Sequence, residues 1–495
     1  MKLKPLMIQG TGSHVGKSFL VMALCRIFLR RGIEVVPFKA QNMANNAAAV
    51  TGGEIGRAQA LQAAAARIDP DVRMNPLLLK PSGNKICQAV LMGKPVGSFT
   101  VKQLDRKKPA WFKTIQKAYH SLAAENDATV IEGAGSPAEI NLREADYANM
   151  RVAQMADAQV ILVGDIDRGG VFAALHGTLD LLLPVERKRI VGLCINKFRG
   201  DASLLDSGIR FLRQKTGKPV MGVIPYDTNL RLPEEDSLGL NWRSSRRSRR
   251  NKHSLEIGLV HTPHIANFTD FDPFQVEPDV VIRDVHSPRD LEGLAAVILP
   301  GSKNVFGDMR FLNRSGLANA IRTPADFSIV GICGGLQLLG RTIIDSIGVE
   351  DRRPARMDGL GLLPVHTRFF RKKIVRPVVR RHRPSRSIIL GYEIHHGIIY
   401  PDPDDRRVAR PLFHSENGST EGCISPDGRI LGTLTHGVFD SDKFRAAFLN
   451  RLRKHSGLPE RPAAEYDLEK NIDRAADLVS SHLDVNAILR LLKID

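Results

Sequence analysis

IQGTGSHVGKS, residues 8–18, decides the first half of the fold. The apolar run LMIQG leads into a glycine-rich turn, and the turn ends at Gly16-Lys17-Ser18. There KSFLVMALCRIFLRRG begins, with its apolar residues at helical spacing and Gly32 placed to end the helix. A strand, a turn of backbone N–H groups and a helix N-terminus together make a phosphate cradle. The common P-loop has four residues between its first glycine and the Gly-Lys-Ser/Thr. Here five residues separate Gly10 from Gly16, which widens the loop without removing any of its parts. The pattern assigns Gly10, Thr11, Gly12, Val15 and Gly16 to the loop around the phosphates. Lys17 is expected to reach the β- and γ-phosphates and the Ser18 hydroxyl to take a metal ion. ATP and Mg2+ are the expected cofactors.

A metal site also needs carboxylates. ATVIEGAG ends an apolar run with Glu132, followed by glycines that leave room for a phosphate. Glu54 in GGEIGRAQA, just ahead of a helical stretch, is the second candidate metal ligand. CINKFRGD places Asn196-Lys197 after a strand, where many P-loop proteins read the base, so Asn196 joins the ATP-binding set. No Asp stands at 198 or 199 to mark a guanine reader. Around these motifs run EVVPF, ATVIEGAG, AQVILVGD, IVGLCIN and PVMGVIP. Continuous Val/Ile/Leu runs are expected of parallel strands buried on both faces. Their alternation with helical stretches predicts a doubly wound α/β sheet, with ligands at the carboxyl ends of its strands.

Near residue 241 the pattern breaks into NWRSSRRSRRNKHS, and a second strand series follows: LEIGLV, AAVILPG, FSIVGICGG and GRILGTLTHG. The predicted organisation is an ATP-dependent domain over 1–241, a basic linker over 242–253, a second α/β domain over 254–450 and a helical tail over 451–495. GICGG, residues 331–335, is G-x-C-x-G between an apolar strand and a helix. That is the pattern of a nucleophile on a tight strand-to-helix turn, with glycines relieving the crowding. A helix N-terminus favours the Cys333 thiolate. The Gly334 N–H, and Gly301 in LPGSKN after another strand, are the expected oxyanion donors. A thiolate nucleophile wants a general base. His436 in THGVFD follows the strand ILGTL, with His395 and His396 of GYEIHHG as rivals.

The bulk properties bound these readings. The chain has 495 residues, 43% hydrophobic, enough for two or three domains with full cores. No apolar run approaches the ~20 residues that cross a bilayer, and MKLKPLMIQG reads as a first strand rather than a signal peptide. Cys25, Cys87, Cys194, Cys333 and Cys423 form no CxxC pair, which argues against a disulfide framework or a zinc site and for a reducing cytoplasm. The net charge of +18 suits a polyanionic partner. Much of it lies in residues 243–252 and 371–386, expected to be solvated linker and loop. No nucleic-acid motif accompanies them, so neither nucleic acid nor membrane is an expected partner.

G-x-C-x-G with a distant His-Gly resembles the triad-type (class I) glutamine amidotransferases, which have a flavodoxin-like fold. Most of these carry a Glu two residues after the histidine. Val438 stands there, as in the cobalamin-type branch, and this leaves the third member of the triad unassigned. GTGSHVGKS with VIEGAG is similar to the dethiobiotin-synthetase-like P-loop enzymes, whose loop has the longer spacing. The combination resembles the cobyric acid synthase family. FKAQNMANNAA, GDIDRGGVFA, PEEDSLGL, NFTDFDP, PGSKN and GYEIHHG carry the resemblance, over about residues 8–445. It implies ATP- and L-glutamine-dependent amidation of the b, d, e and g carboxylates of a corrinoid polycarboxylate, adenosylcobyrinic acid a,c-diamide. The cobyrinic acid a,c-diamide synthases are the nearest rival, disfavoured by FKAQNMANNAA and EINL. A ParA-like DNA-binding ATPase would have no use for Cys333 or His436. His14 departs from the family's usual Asp in the loop, the main support for a degraded enzyme kept as a binding protein. Leu336 and Thr435 replace more usual aromatic neighbours.

Overall fold

The computed structural model describes residues 2–81, 86–233, 254–323, 326–350, 353–405 and 410–493. The basic run at 243–252 and the expected linker over 242–253 lie outside them. The first half is built on a six-stranded parallel sheet. Its order is Val220–Pro225, Ile190–Phe198, Gln159–Asp165, Leu6–Gly10, Ala128–Glu132 and Val35–Phe38. Leu6–Gly10 and Ala128–Glu132 are buried throughout, because helices cover both faces of the sheet. The P-loop leaves the carboxyl end of the central strand, with Glu132 ending one neighbouring strand and Asp165 the other. FKAQNMANNAA, beyond Val35–Phe38, folds into short strands. One of them, Ala47–Val50, forms a hairpin with Gly53–Gly56 that runs into the helix Arg57–Ala65.

The second half carries an eleven-stranded sheet. Its parallel core orders Val280–Val285, Leu255–Val260, Ala296–Leu299, Ser328–Ile332 and Ile430–Thr433. Antiparallel strands extend it, and the longest are Val365–His382 and Ser387–Pro401. Residues 371–386, expected as loop, thus belong to a long β-hairpin. Ile374, Val375, Val378 and Val379 are β-branched and suit a pleated strand. The ladder is irregular between Phe369 and Ile374, and there Lys373 turns inward.

The two halves pack directly on each other. Ala44, Ala47, Leu78 and Val90 of the first form one buried apolar cluster with Tyr392 and Ile394 of the second. Helix Asp442–His455 runs across the expected boundary at 450. The helices Leu468–His482 and Val485–Leu492 then return to the first half. Ile472, Val479, Val485, Ile488 and Leu492 share a core with Leu20, Val21 and Leu24 of the P-loop helix, Lys17–Arg30. Arg26, 1% exposed, is held between Glu469 and Asp473 of the returning chain, each at 2.8 Å. Among the described residues no helix is long and apolar enough to cross a membrane.

Candidate active sites

The P-loop is shaped by close approaches. Gly16 has φ +99°, and a Cβ there would sit 2.0 Å from the Asn196 amide, so only glycine fits. Asn196 Nδ2 donates to the Val15 carbonyl at 2.8 Å, and Lys197 Nζ to the His14 carbonyl at 2.6 Å. Asn196, expected beside the nucleotide, thus braces the loop itself. Lys17 is 7% exposed, and its Nζ rests on the Gly12 and Gly135 carbonyls at 2.7 and 3.0 Å. These glycine-cleared backbone groups and the buried ammonium fit the phosphates of a nucleotide.

Ser18 Oγ donates to Glu132 Oε1 at 2.7 Å. The same carboxylate accepts from Lys39 Nζ at 2.7 Å and Gln62 Nε2 at 2.5 Å. A hydroxyl and one carboxylate beside phosphates are a donor set that suits Mg2+, which keeps several waters. Among the described residues no group of three or more His, Cys, Asp or Glu side chains is placed to hold a metal ion. The structure does not bring Glu54 to this pair. Fully buried, Glu54 is bonded to Lys80 of its own domain and to Lys373 of the long hairpin. Burial would raise its carboxyl, but Lys373, Lys80 and Lys303 overcome that and hold it well below the usual range. Two lysines, one from each half, thus hold Glu54 apart from the Ser18–Glu132 pair.

The second site lies where the halves meet. Cys333 stands between Ser328–Ile332 and the helix Gly334–Leu339 with φ +52° and ψ −104°. Non-glycine residues rarely adopt positive φ, so surrounding packing must hold this elbow. A Cβ at Gly335 would sit 2.0 Å from the Leu299 carbonyl, which explains the second glycine of the motif. Cys333 and His436 line one cavity, and the Cys333 thiol lies 3.8 Å from the Ile394 carbonyl oxygen. His436 Nδ1 meets Asp270 Oδ2 at 2.7 Å, and Asp270 Oδ1 accepts from the Gly437 N–H at 2.8 Å. Asp270 is 2% exposed and completes a Cys-His-Asp line. Burial would lower the His436 pKa, but Asp270 and Cys333 outweigh it and push it up to about 10. The Tyr392 ring stacks on the imidazole at 5.1 Å.

Gly301 backs the His436 ring and Gly334 abuts Ser302, so both expected oxyanion residues flank the pair. His395 and His396 line the same cavity, but their Nδ1 atoms are spent on the carbonyls of Gly397 and Phe370. The cavity is closed from the other half by Asn45 and Lys80. Lys303, lowered to about 8 by burial and Lys373, and Glu350, raised to about 7 chiefly by burial, complete its polar lining. Sequence reasoning missed Asp270, Lys39, Gln62 and Gln59, whose Nε2 donates to Glu132 Oε2 at 3.4 Å; NFTDFDP, PFKAQN and GGEIGRAQA contain all but Gln62, which follows two residues later.

Comparison with known proteins fits both sites. Residues 6–239 match the model of the CobQ/CobB/MinD/ParA nucleotide binding domain, and residues 256–444 that of the CobB/CobQ-like glutamine amidotransferase domain. Cobyric acid synthase of Nitratidesulfovibrio vulgaris is 45% identical over 98% of this chain and 97% of its own. That of Photorhabdus laumondii is 44% identical over 99% and 98%. The adenosylcobalamin biosynthesis bifunctional protein CobDQ of Leptospira interrogans is 43% identical over 99% of this chain and 57% of its own length. A nucleotide-binding domain followed by an amidotransferase domain, matched end to end by full-length relatives, means that the chain belongs to the cobyric acid synthase family.

Proposed function

We propose that this chain amidates the b, d, e and g side-chain carboxylates of adenosylcobyrinic acid a,c-diamide, using ATP with Mg2+ and ammonia that Cys333 releases from glutamine. The observation that carries the reading is the Cys333–His436–Asp270 line in a cavity walled by Asn45 and Lys80 of the nucleotide-binding half. His436 takes the thiol proton, and Cys333 Sγ attacks the glutamine amide carbon. His436 returns the proton to the leaving ammonia, and water then frees glutamate from the thioester. Lys303 and Glu350, half-buried in the lining of the same cavity, match the α-carboxylate and α-ammonium of the amino acid. Gly301 and Gly334 flank the developing oxyanion.

At the other site Lys17 and the loop N–H groups would hold the phosphates, and Ser18 with Glu132 would hold Mg2+, which would neutralise phosphate charge. The bound nucleotide supplies the phosphoryl group that turns a carboxylate into an acyl phosphate. Ammonia displaces phosphate from it and leaves the amide. Glu54 is not assigned to the metal.

Mass spectrometry of the corrinoid after incubation with ATP, Mg2+ and glutamine tests the reading. Four successive decreases of about one mass unit are expected, OH being replaced by NH2. Cys333→Ala is expected to lose every step with glutamine and to keep them with ammonium salt at raised pH. A Cys333→Ala protein that still uses glutamine would overturn the nucleophile. No mass step in the wild type would overturn the substrate.

A further inference from the structure

We propose that Asn267 is a positioning residue for the His436 base, and that the nucleotide-binding domain sets its orientation through the backbone N–H of Ala47. The inference rests on the reading of Cys333 and His436 as the glutaminase pair. Asn267 is 6% exposed and precedes the turn that carries Asp270. Its φ of +53° is a left-handed conformation that Asn tolerates better than most side chains. Its Oδ1 accepts from the Ala47 N–H at 3.0 Å, and its Nδ2 lies 3.2 Å from His436 Nε2.

A side-chain amide has an acceptor at one end and donors at the other. The Ala47 N–H can only donate, so it fixes which end of Asn267 faces it. The NH2 end then faces the imidazole, and in the neutral ring Nε2 presents its lone pair to it. The ring proton is thereby placed on Nδ1, toward Asp270. A contact from the other domain thus selects the Nδ1–H tautomer, with Asn267 on the Nε2 lone pair until the Cys333 proton displaces it.

The same contact opposes the next step. When the Cys333 proton moves from Sγ to Nε2, the new N–H meets the amide NH2, donor against donor. Asp270 and Cys333 favour the imidazolium, and Asn267 as held by Ala47 disfavours it. If Ala47 withdraws, a half-turn of the amide presents Oδ1 to Nε2–H and the charged pair gains an acceptor. The other groups around His436 are Tyr392, stacked on it, Arg57 above that ring, and Asp440 beside Arg57 and Asp270.

Ala47 is tied to the nucleotide site by short links. It sits in the hairpin Ala47–Val50/Gly53–Gly56, which leads directly into Arg57–Ala65. The Arg57 N–H is bonded to the Asn46 carbonyl, next to Ala47. Gln62, one turn along that helix, donates to Glu132 beside Ser18. Any shift of this helix would therefore move the donor that orients Asn267.

The test compares full-length wild type, Asn267→Ala and Asn267→Asp. It measures the pH profile of Cys333 alkylation by iodoacetamide, and glutamate release without ATP or corrinoid. Asp at 267 offers acceptors to both Ala47 N–H and Nε2–H. The Asp variant should alkylate at a pH about one unit lower and release glutamate roughly tenfold faster. The Ala variant adds no charge and should move the same way by less. ATP with Mg2+ should move the wild type toward the Asp variant. The proposal fails if both variants fold, by their melting curves, yet alkylate with the wild-type profile or at higher pH. Glutamate release that persists in Cys333→Ala would instead sink the glutaminase reading beneath it.

Discussion

Asp270 shows most plainly what one residue does here. Its two oxygens divide their work: Oδ2 faces His436 Nδ1 and Oδ1 takes the Gly437 N–H. Asp270→Asn must keep its oxygen on that backbone N–H, which turns its NH2 toward Nδ1 and forces the proton to Nε2. Glutamine-dependent turnover is expected to fall by about ten-thousandfold, as for the same change in a Ser-His-Asp triad. Ammonia-dependent amidation should persist. A glutaminase loss under tenfold would reduce Asp270 to a structural role. The elbow at Cys333 and the place of His436 past a strand end were legible because both are local patterns. Asp270 was not, because it lies 166 residues before His436 and reaches the ring only through the fold. Lys39, Gln59 and Gln62 escaped for the same reason, since nothing in their spacing announces a shared carboxylate.

At the scale of elements, the long hairpin reverses an expectation drawn from charge. Its arginines and lysines look like a solvated loop, because they hide the strand alternation and the irregularity at Phe369 shifts its phase. In the fold Lys373 meets Glu54, and Arg376 and Arg380 meet Glu393. Burial would raise Glu393, but His395, Arg376 and Arg380 pull it down to about 2. A depressed carboxylate contributes stability that is present above the ordinary value of ~4.3 and lost as pH falls through about 2. Glu393→Gln should therefore cost about 3–5 kcal/mol at pH 7, as for a buried pair that loses one partner. The gap to wild type in urea melts should narrow from pH 5 downward. A gap independent of pH would show that packing, not charge, accounts for the loss. The parallel strands were legible throughout, since both-face burial leaves unbroken Val/Ile/Leu runs.

The whole molecule is joined twice, once at the cavity between its halves and once by the returning helices Leu468–His482 and Val485–Leu492. Amphipathic spacing announced these helices but not their destination. Each buried aliphatic side chain there contributes about 1.5–3 kcal/mol, and Arg26 adds its pairs to Glu469 and Asp473. A chain ending at Asp467 is expected to aggregate and to lose nucleotide binding, measured by calorimetry with ATP. A soluble truncation with wild-type affinity would show the returning helices to be ornamental.

The return also sets an order of birth. A ribosome delivers the P-loop and its sheet first, yet the core around Leu20, Val21 and Leu24 is completed by residues made more than four hundred positions later. At roughly 5–20 residues per second that is a wait of some tens of seconds. The amidotransferase half has all its parallel core strands by Thr433, before the returning helices begin. The core of the half translated first thus stays incomplete until the returning helices are made.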